Sequence, residues 1–564
     1  MDKEIYHNFT QLVFAYADSQ PNTYACIFQE RGPESVVKIT YGELAGKVRE
    51  RASLLIRLNL VGKRVALIFP TGIEFVIDFL SCLSAGVIAV PLNLSRNQQQ
   101  LQRTFDVMMD AKVSTIMTTY QTRILLNKYL QDFFGSTESI QWLDETMTSK
   151  IVDEPFHAVR RRDIAFIQYT SGSTSKPKGV MISHKNILIN QAAISEACDC
   201  YPGLITGGWL PQFHDMGLIG HMMQPLYMGG TYVFMPPQSF IQRPRRWLEL
   251  ISNYRIRGSA SPNFGYDYCV KNISDREDLS SLDLSCWEVA LNGSEPVNYK
   301  TMNEFSEKFS PYGFNPSAFF PSYGMAETTL FVSGGDPSSG MKLKILNKLS
   351  FESGRVEFID SDGIKVVSCG KISNYFDVKI VNPKTLLDCL PDQIGEIWVT
   401  GEGVAKGYWN NLAKTEKTFY ANAIADNKNY LRTGDLGFIN NGELYVTGRI
   451  KEMIIIRGRN IYPYDIEYTC NSDVRSAGAT AVFAIEQGEH TQLGAIVEVK
   501  KKVLLRENVD EIARDIKGNV MNTHNVSIDH LRLVLPGTIP RTTSGKIRRS
   551  ACKNLFAQEE LQAV

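Results

Sequence analysis

Between Tyr169 and Val180 the chain reads YTSGSTSKPKGV, which has the composition of a loop that holds a polyphosphate. Gly172 and Gly179 can take backbone angles that turn N–H groups toward one anion, and Thr170, Ser171, Ser173 and Thr174 add hydroxyl donors around it. Lys176 and Lys178 supply positive charge. A plain Gly/Ser linker would share the small residues, but Pro177 between the two lysines stiffens this stretch and an apolar run resumes at once. In the Walker loop a Gly directly precedes the Lys, whereas here Gly179 follows Lys178, so a different nucleotide-binding family is needed.

TSGSTSKPKGV resembles the signature of the adenylate-forming superfamily, which contains acyl-CoA synthetases, luciferases and the adenylation domains of peptide synthetases. ITYGEL (39–44), LSAGVIAVPLN (83–93), LNGSEPV (291–297), PSYGMAETT (321–329), LRTGDLG (431–437), GRIKE (448–452) and PRTTSGK (540–546) resemble its other motifs, in order along the whole chain. The resemblance implies ATP and Mg2+ as cofactors. Glu327, with Thr170, would hold the ion, and the loop from Thr170 to Thr174 with Lys178 would hold the phosphates. Asn292, Gly293, Ser294, Glu295 and Pro296 would face the adenine from one side, with Ser322, Tyr323, Gly324 and Met325 opposite. Asp435 would accept from the ribose hydroxyls near Arg449, since an ionised carboxylate only accepts. Lys546 would bridge carboxylate and phosphate during adenylation, and Lys451 sits at the family's hinge.

In WLPQFHDMGLIG (209–220), the motif that borders the family's acyl pocket, His214 stands where amino-acid-activating relatives carry an Asp for the substrate amine. That departure argues against an amino-acid substrate. The resemblance groups His214 with Lys546 and Glu327 as catalytic, and His214, Asp215, Met216, Gly217 and Ile219 as substrate-binding. The apolar and small residues here suit an alkyl chain and equally suit ordinary core packing.

The elements that must position these groups follow from periodicity. DIAFIQ (163–168) reads as a buried strand entering the loop, and Thr40 as the cap of the helix that follows it. VALIF (65–69), an amphipathic run from Gly72 and VIAVPL (87–92) form a strand, helix, strand unit, and VSTIMTT (113–119) lies between helices from Ser95 and near 125–134. Repeated crossovers imply a largely parallel, helix-covered sheet. The expected fold class is α/β, with a large N-terminal domain of helix-covered mixed sheets over 1–447, a hinge at 448–451 and a small, mobile α+β domain over 452–564. The small domain would hold EMIIIRG, a helix opened by Pro463, ATAVFAI, GAIVEVK, a helix near 508–523 and LRLVL.

An insertion near 334–367, with RVEFIDSDGIKVV read as a hairpin, resembles the fatty acyl-AMP ligases together with VSCG (367–370) and RGRNIYPYDIE (457–467). A loop expansion without functional meaning is the alternative. The expected activity is ATP-dependent conversion of a medium- or long-chain fatty acid to acyl-adenylate with release of pyrophosphate, the acyl group then passing to an acyl carrier protein, stand-alone or within a polyketide or peptide synthase. A fatty acyl-CoA ligase is the alternative, and a non-catalytic binding protein of the same fold is disfavoured because Glu327, Asp435 and Lys546 are all present.

At 564 residues the chain exceeds what one core usually supports. Its 60 basic and 60 acidic side chains cancel, which leaves no footprint for nucleic acid or an anionic membrane. The ten cysteines lack zinc-ligand or disulfide spacing, and the start, Met-Asp-Lys-Glu, has no apolar signal core. The most apolar stretch is interrupted by Glu74 and Asp78, so stable membrane insertion is not expected and a cytoplasmic location is.

Overall fold

The computed structural model describes the chain except for residues 1, 2, 4, 5, 33, 95–97, 135–139, 152–158, 171–176, 423–427, 457–458, 474, 488–489, 543–545 and 559–564. The helix Tyr41–Arg57 begins in a capping box, with Thr40 accepting from the Glu43 N–H and the Glu43 carboxylate accepting from the Thr40 N–H. It packs on the helix Ile73–Ala85, and between them Arg51 and Asp78 form a buried bidentate pair at 2.6 and 2.7 Å. Ile73–Ala85 in turn packs on a sheet that, among the described residues, has six strands in the order Gln141–Leu143, Thr115–Met117, Arg64–Ile68, Ile88–Leu92, Ile164–Thr170, Lys178–Ser183. All of its neighbours are parallel except the last pair, which is antiparallel.

Among the described residues the larger sheet has 15 strands. Tyr24–Gln29, Thr231–Phe234, Ile205–Gly208, Gly258–Ser261, Val289–Asn292 and Phe319–Gly324 lie side by side and parallel, after which the sheet turns antiparallel through Phe331–Gly334 and Ile364–Ile372. Ligands in such folds gather beyond the carboxyl ends of parallel strands. Those ends carry Thr170, Gly208, Asn292 and Gly324.

The C-terminal region has its own sheet, Ser476–Gln487, His490–Val499 and His530–Val534, and its own core around Val482, Leu493, Val497, Ile512, Ile516 and Leu533. Helices Pro463–Asn471 and Val509–His524 fall where periodicity placed them, while the helix Arg549–Ala557 was not expected.

The hairpin read within 355–367 is corrected. Ile364–Ile372 pairs with Leu343–Leu346, in the register Leu343 opposite Val367, and the helix Lys348–Glu352 sits between them in sequence. The 357–359 backbone lies along the other side of Leu343–Leu346, bonded from Ile359 N to Ile345 O. Asn347 caps the intervening helix through the Leu349 and Ser350 N–H groups and so breaks what reads in sequence as continuous strand. The projecting segment joins a core of Leu346, Phe351, Val356 and Val366 with Phe438 and Tyr445 of the large sheet and Tyr462 of the C-terminal region.

Candidate active site

Residues 171–176 lie outside the described part, so nothing is placed for Ser171, Gly172, Ser173 and Thr174. The strands that flank them are described, and Thr170 and Lys178 pair directly across the antiparallel ladder. The Thr170 carbonyl accepts from Arg103 at 3.2 Å.

A cleft of about 1770 Å3 between the large sheets and the C-terminal region collects Thr170, Lys178, His214, Asp215, Ser294, Glu295, Pro296, Gly324, Met325, Glu327, Arg449, Lys451 and Lys546. Glu327 is buried on a short 3-10 turn, and its Oε1 accepts from the Tyr408 hydroxyl at 2.8 Å. Thr329, two residues on, has a φ of 72°, unfavourable for a branched side chain; its hydroxyl bond to Gly403 O and the Ala405 N–H bond to Glu327 O hold the turn in place. Burial pushes the Glu327 carboxyl up, against the pull of Tyr408, Arg449 and Lys178.

Around that carboxylate the site is cationic. Burial lowers Lys178 and Lys414, and repulsion from Lys451 lowers both further. A cluster whose members depress one another is arranged for a polyanion. Arg449 pairs with Asp435 at 2.7 Å directly across two antiparallel strands, and the other Asp435 oxygen accepts from Tyr323 at 2.9 Å.

Lys546 is bonded to Thr542, whose N donates to Lys546 O at 2.7 Å while Lys546 N donates to Thr542 Oγ1 at 3.0 Å. Burial and Arg449 lower its ammonium, while Asp215, Glu295 and Asp435 favour the charge. Three residues on, Arg549 holds both Glu467 oxygens at 2.6 Å and Glu452 at 2.7 Å, which fastens the loop to the C-terminal region. His214 Nδ1 lies 2.7 Å from Asp215 Oδ1. Burial alone would raise Asp215, but His214, Lys546 and the Met216 N–H together hold it below the usual carboxylate range.

A second, smaller cavity of about 90 Å3 adjoins the cleft, and Asp215, Ser294 and Gly324 border both. Gly293, Ser322, Tyr323 and Met216 line this cavity and not the cleft, along with Leu204, Val289 and Phe331. Gly217 and Ile219, expected here, do not line it, and the reason is helical pitch. Met216–Met223 is a π-helix, whose longer turn brings Met216, Gly220, His221 and then Gln224 to the cavity. Leu218, Ile219, Met222 and Met223 face the main core instead, and a Cβ on Gly217 would meet Pro211 O at 2.1 Å. Asn292 borders neither space; fully buried, it donates to Asn263 Oδ1 at 2.7 Å and shapes the turn behind the cleft.

Sequence reasoning missed Tyr408, Lys414 and Arg549. Tyr408 lies in GEGVAKGYW (401–409), where no local pattern marks its reach to Glu327, and Arg549, the second Arg of KIRR (546–549), carries no signal beyond its charge.

One buried carboxylate at the edge of a cationic cleft suits Mg2+, which binds through one or two carboxylates and substrate phosphates. Among the described residues no group of three or more His, Cys, Asp and Glu forms an all-protein cage. Glu327 therefore fits the ion as a single protein carboxylate, and Thr170 lines the same cleft.

Fold and site define a two-part α/β enzyme in which a cationic cleft adjoins a smaller, mainly apolar cavity. The chain belongs to the AMP-binding enzyme family, whose model matches residues 13–409. Residues 451–564 match the AMP domain of Disco-interacting protein 2-like proteins. Among curated proteins the chain is similar to the medium-chain-fatty-acid acyl-carrier-protein ligase JamA of Moorena producens, at 36% identity covering 100% of this chain and 97% of that protein. It is also similar to FadD25 of Mycobacterium tuberculosis, named a putative fatty-acid CoA ligase, at 34% identity covering 96% of each. Among solved structures it is similar to the L. pneumophila fatty acyl-adenylate ligase in complex with acyl adenylate and pyrophosphate, with TM-score 0.76 and 37% identity, covering 99% of this chain and 98% of that one.

Proposed function

We propose that this protein joins a medium- or long-chain fatty acid to ATP, forming acyl-adenylate and pyrophosphate, and then passes the acyl group to an acyl carrier protein. The observation that carries the reading is the junction at Asp215, Ser294 and Gly324, where a cationic cleft containing Lys546 and Glu327 meets a mainly apolar chamber.

Carboxylate and α-phosphate repel each other, so the residues must neutralise charge and align attack. An acyl chain in the chamber brings its carboxylate out beside Asp215 and Ser294, facing Lys546. A carboxylate oxygen then bonds to the α-phosphorus as the bond to the bridging oxygen breaks, and the electron pair leaves with pyrophosphate. Lys546 stabilises the charge gathered at the α-phosphate, while Lys178, Lys414, Lys451 and Arg449 receive the charge on the departing group. Mg2+, held by Glu327 and the Thr170 hydroxyl, would supply further neutralisation of the phosphates when bound. Asp435, steadied by Tyr323 and Arg449, retains acceptor capacity for ribose hydroxyls. In the second step the carrier thiolate attacks the acyl carbonyl and AMP departs.

Domain limits at 448–451 with Lys451 as hinge suit this sequence of steps, because Lys546 rides on the C-terminal region and must withdraw before the carrier enters. Among the described residues no helix is long and apolar enough to cross a membrane, which is compatible with a cytoplasmic site of action. CoA as acceptor is the second reading, favoured by the similarity to FadD25. Product analysis with dodecanoic acid, ATP and Mg2+, with CoA or with a phosphopantetheinylated carrier, separates them. Pyrophosphate and acyl-AMP with slow acyl-CoA formation are expected; efficient acyl-CoA formation overturns the carrier assignment.

A further inference from the structure

The stretch 403–409 is bonded to two parts of the site that must meet one ligand. On one side it lies along the strand Lys178–Ser183, which follows the polyphosphate-loop sequence. There the Trp409 N–H donates to Gly179 O at 2.7 Å, the Met181 N–H to Gly407 O at 3.0 Å and the Lys406 N–H to Met181 O at 3.0 Å. On the other side it holds the turn that carries Glu327. The Ala405 N–H donates to Glu327 O at 2.9 Å, the Thr329 hydroxyl to Gly403 O at 2.8 Å and the Tyr408 hydroxyl to Glu327 Oε1 at 2.8 Å. Of these bonds, the last reaches the carboxylate itself.

Tyr408 is well fixed for that task. It is 5% exposed, its N–H donates to Thr415 Oγ1 at 2.9 Å, and its ring meets Phe419 edge-on with centroids 5.1 Å apart. A side chain held this way gives up little rotamer freedom when its hydroxyl finds a partner. Glu327 has the opposite need, because a carboxylate at the end of two methylenes turns about several bonds unless something stops it. An ionised carboxylate accepts at about four lone-pair sites, so one bond at Oε1 sets its orientation and leaves capacity for an ion. The Lys178 ammonium lies over the same tyrosine ring, 5.8 Å from its centroid, so Tyr408 borders both the carboxylate and a cation of the cleft.

We propose that Tyr408 is a positioning residue whose hydroxyl orients the Glu327 carboxylate for Mg2+, while the 403–409 backbone sets where that carboxylate stands relative to the strand after the polyphosphate-loop sequence. A hydrogen-bond partner behind a metal-binding carboxylate fixes its direction, and loss of such a partner costs about 10- to 100-fold in metal affinity. The inference rests on the ATP-dependent reading of this cleft and deepens it by naming the group that prepares the ion's ligand.

The test is calorimetric titration of the full chain with α,β-methylene-ATP, whose α–β bridge does not break, once with excess Mg2+ and once with EDTA. The ratio of the two dissociation constants measures what the ion contributes. Tyr408→Phe keeps the ring and removes the hydroxyl, so the ratio should fall by about 10-fold while the metal-free constant stays within about twofold of wild type. In a Glu327→Gln background the same substitution should leave the ratio where it was, because Tyr408 acts through that carboxylate. Tyr408→Met, a flexible side chain without the donor, is the second variant if Tyr408→Phe gives no folded protein by melting temperature. A wild-type ratio near one, a ratio unchanged by these substitutions, or a metal-free constant that weakens as much as the metal-bound one overturns the proposal and leaves the tyrosine a packing role. Analogue binding with an unchanged ratio refutes only this inference, whereas no binding of the analogue by wild type refutes the ATP-dependent reading and this inference with it.

Discussion

Replacing Lys546 with Ala isolates the charge that the cleft brings to the reacting atoms. Asp215, Glu295 and Asp435 attract the Lys546 ammonium, and burial with Arg449 lowers its pKa from the usual lysine value. The Lys546 backbone should keep its place after the substitution, because its N–H and C=O bond to Thr542 without using the lysine side chain, and Arg549, three residues on, is held by Glu467 and Glu452. ATP should still bind, since Lys178, Lys414, Lys451 and Arg449 remain in the cleft. Loss of one preorganised transition-state donor costs about 100- to 1000-fold in rate, on the order of 3–4 kcal/mol. Single-turnover pyrophosphate release should fall by that factor with ATP affinity, measured by calorimetry, changed only slightly. The wild-type rate should also decline as pH rises through a value below 10.5, because the cation is lost earlier than for a free lysine. A folded variant that releases pyrophosphate within about fivefold of wild type would refute the role. A loss that tracks weakened ATP binding would shift the role from catalysis to ground-state binding.

Three further outcomes are expected. Glu352→Ala with Arg459→Ala removes the bidentate pair, at 2.7 and 2.8 Å, that ties the projecting segment to the C-terminal region; if that tie restrains domain closure, acyl-CoA formation with excess CoA should rise, and an unchanged acyl-CoA rate rejects the restraint. ATP–pyrophosphate exchange should proceed with fatty acids, gaining about 0.8 kcal/mol for each CH2 buried, and should be slower with every amino acid; a faster amino acid refutes the reading of His214. Asp465 is raised to about 6, chiefly by burial and then by Glu467 and Glu352, with Lys348 opposing. A carboxyl raised in the folded state destabilises it once ionised, so the penalty is absent below about pH 4 and complete above about pH 6; Asp465→Asn should raise stability by about 2–3 kcal/mol at pH 8 and change little at pH 4, and equal melting shifts at both pH values count against it.

The amino-acid sequence by itself determined the elements whose signal is local. The capping box at Thr40 and Glu43, the strand, helix, strand unit over 64–92 and the helix opened by Pro463 all depend on residues within one or two turns of each other, so their pattern is legible without the fold. The order of the motifs likewise identified several residues that the cleft collects, among them Thr170, Lys178, Glu327, Arg449 and Lys546. Tertiary structure alone decided what depends on partners far apart in the chain. Leu343–Leu346 displaced 355–359 as the partner of Ile364–Ile372, since a strand pairs with whichever edge the surrounding core presents. Tyr408 reaches Glu327 across 81 positions, a contact that leaves no periodic trace. The 209–224 stretch reads as apolar either way, and only its π-helical pitch decides that His221 and Gln224 face the chamber while Ile219 joins the core. Side-chain direction there follows the residues per turn, which the packing of the whole domain imposes on that segment.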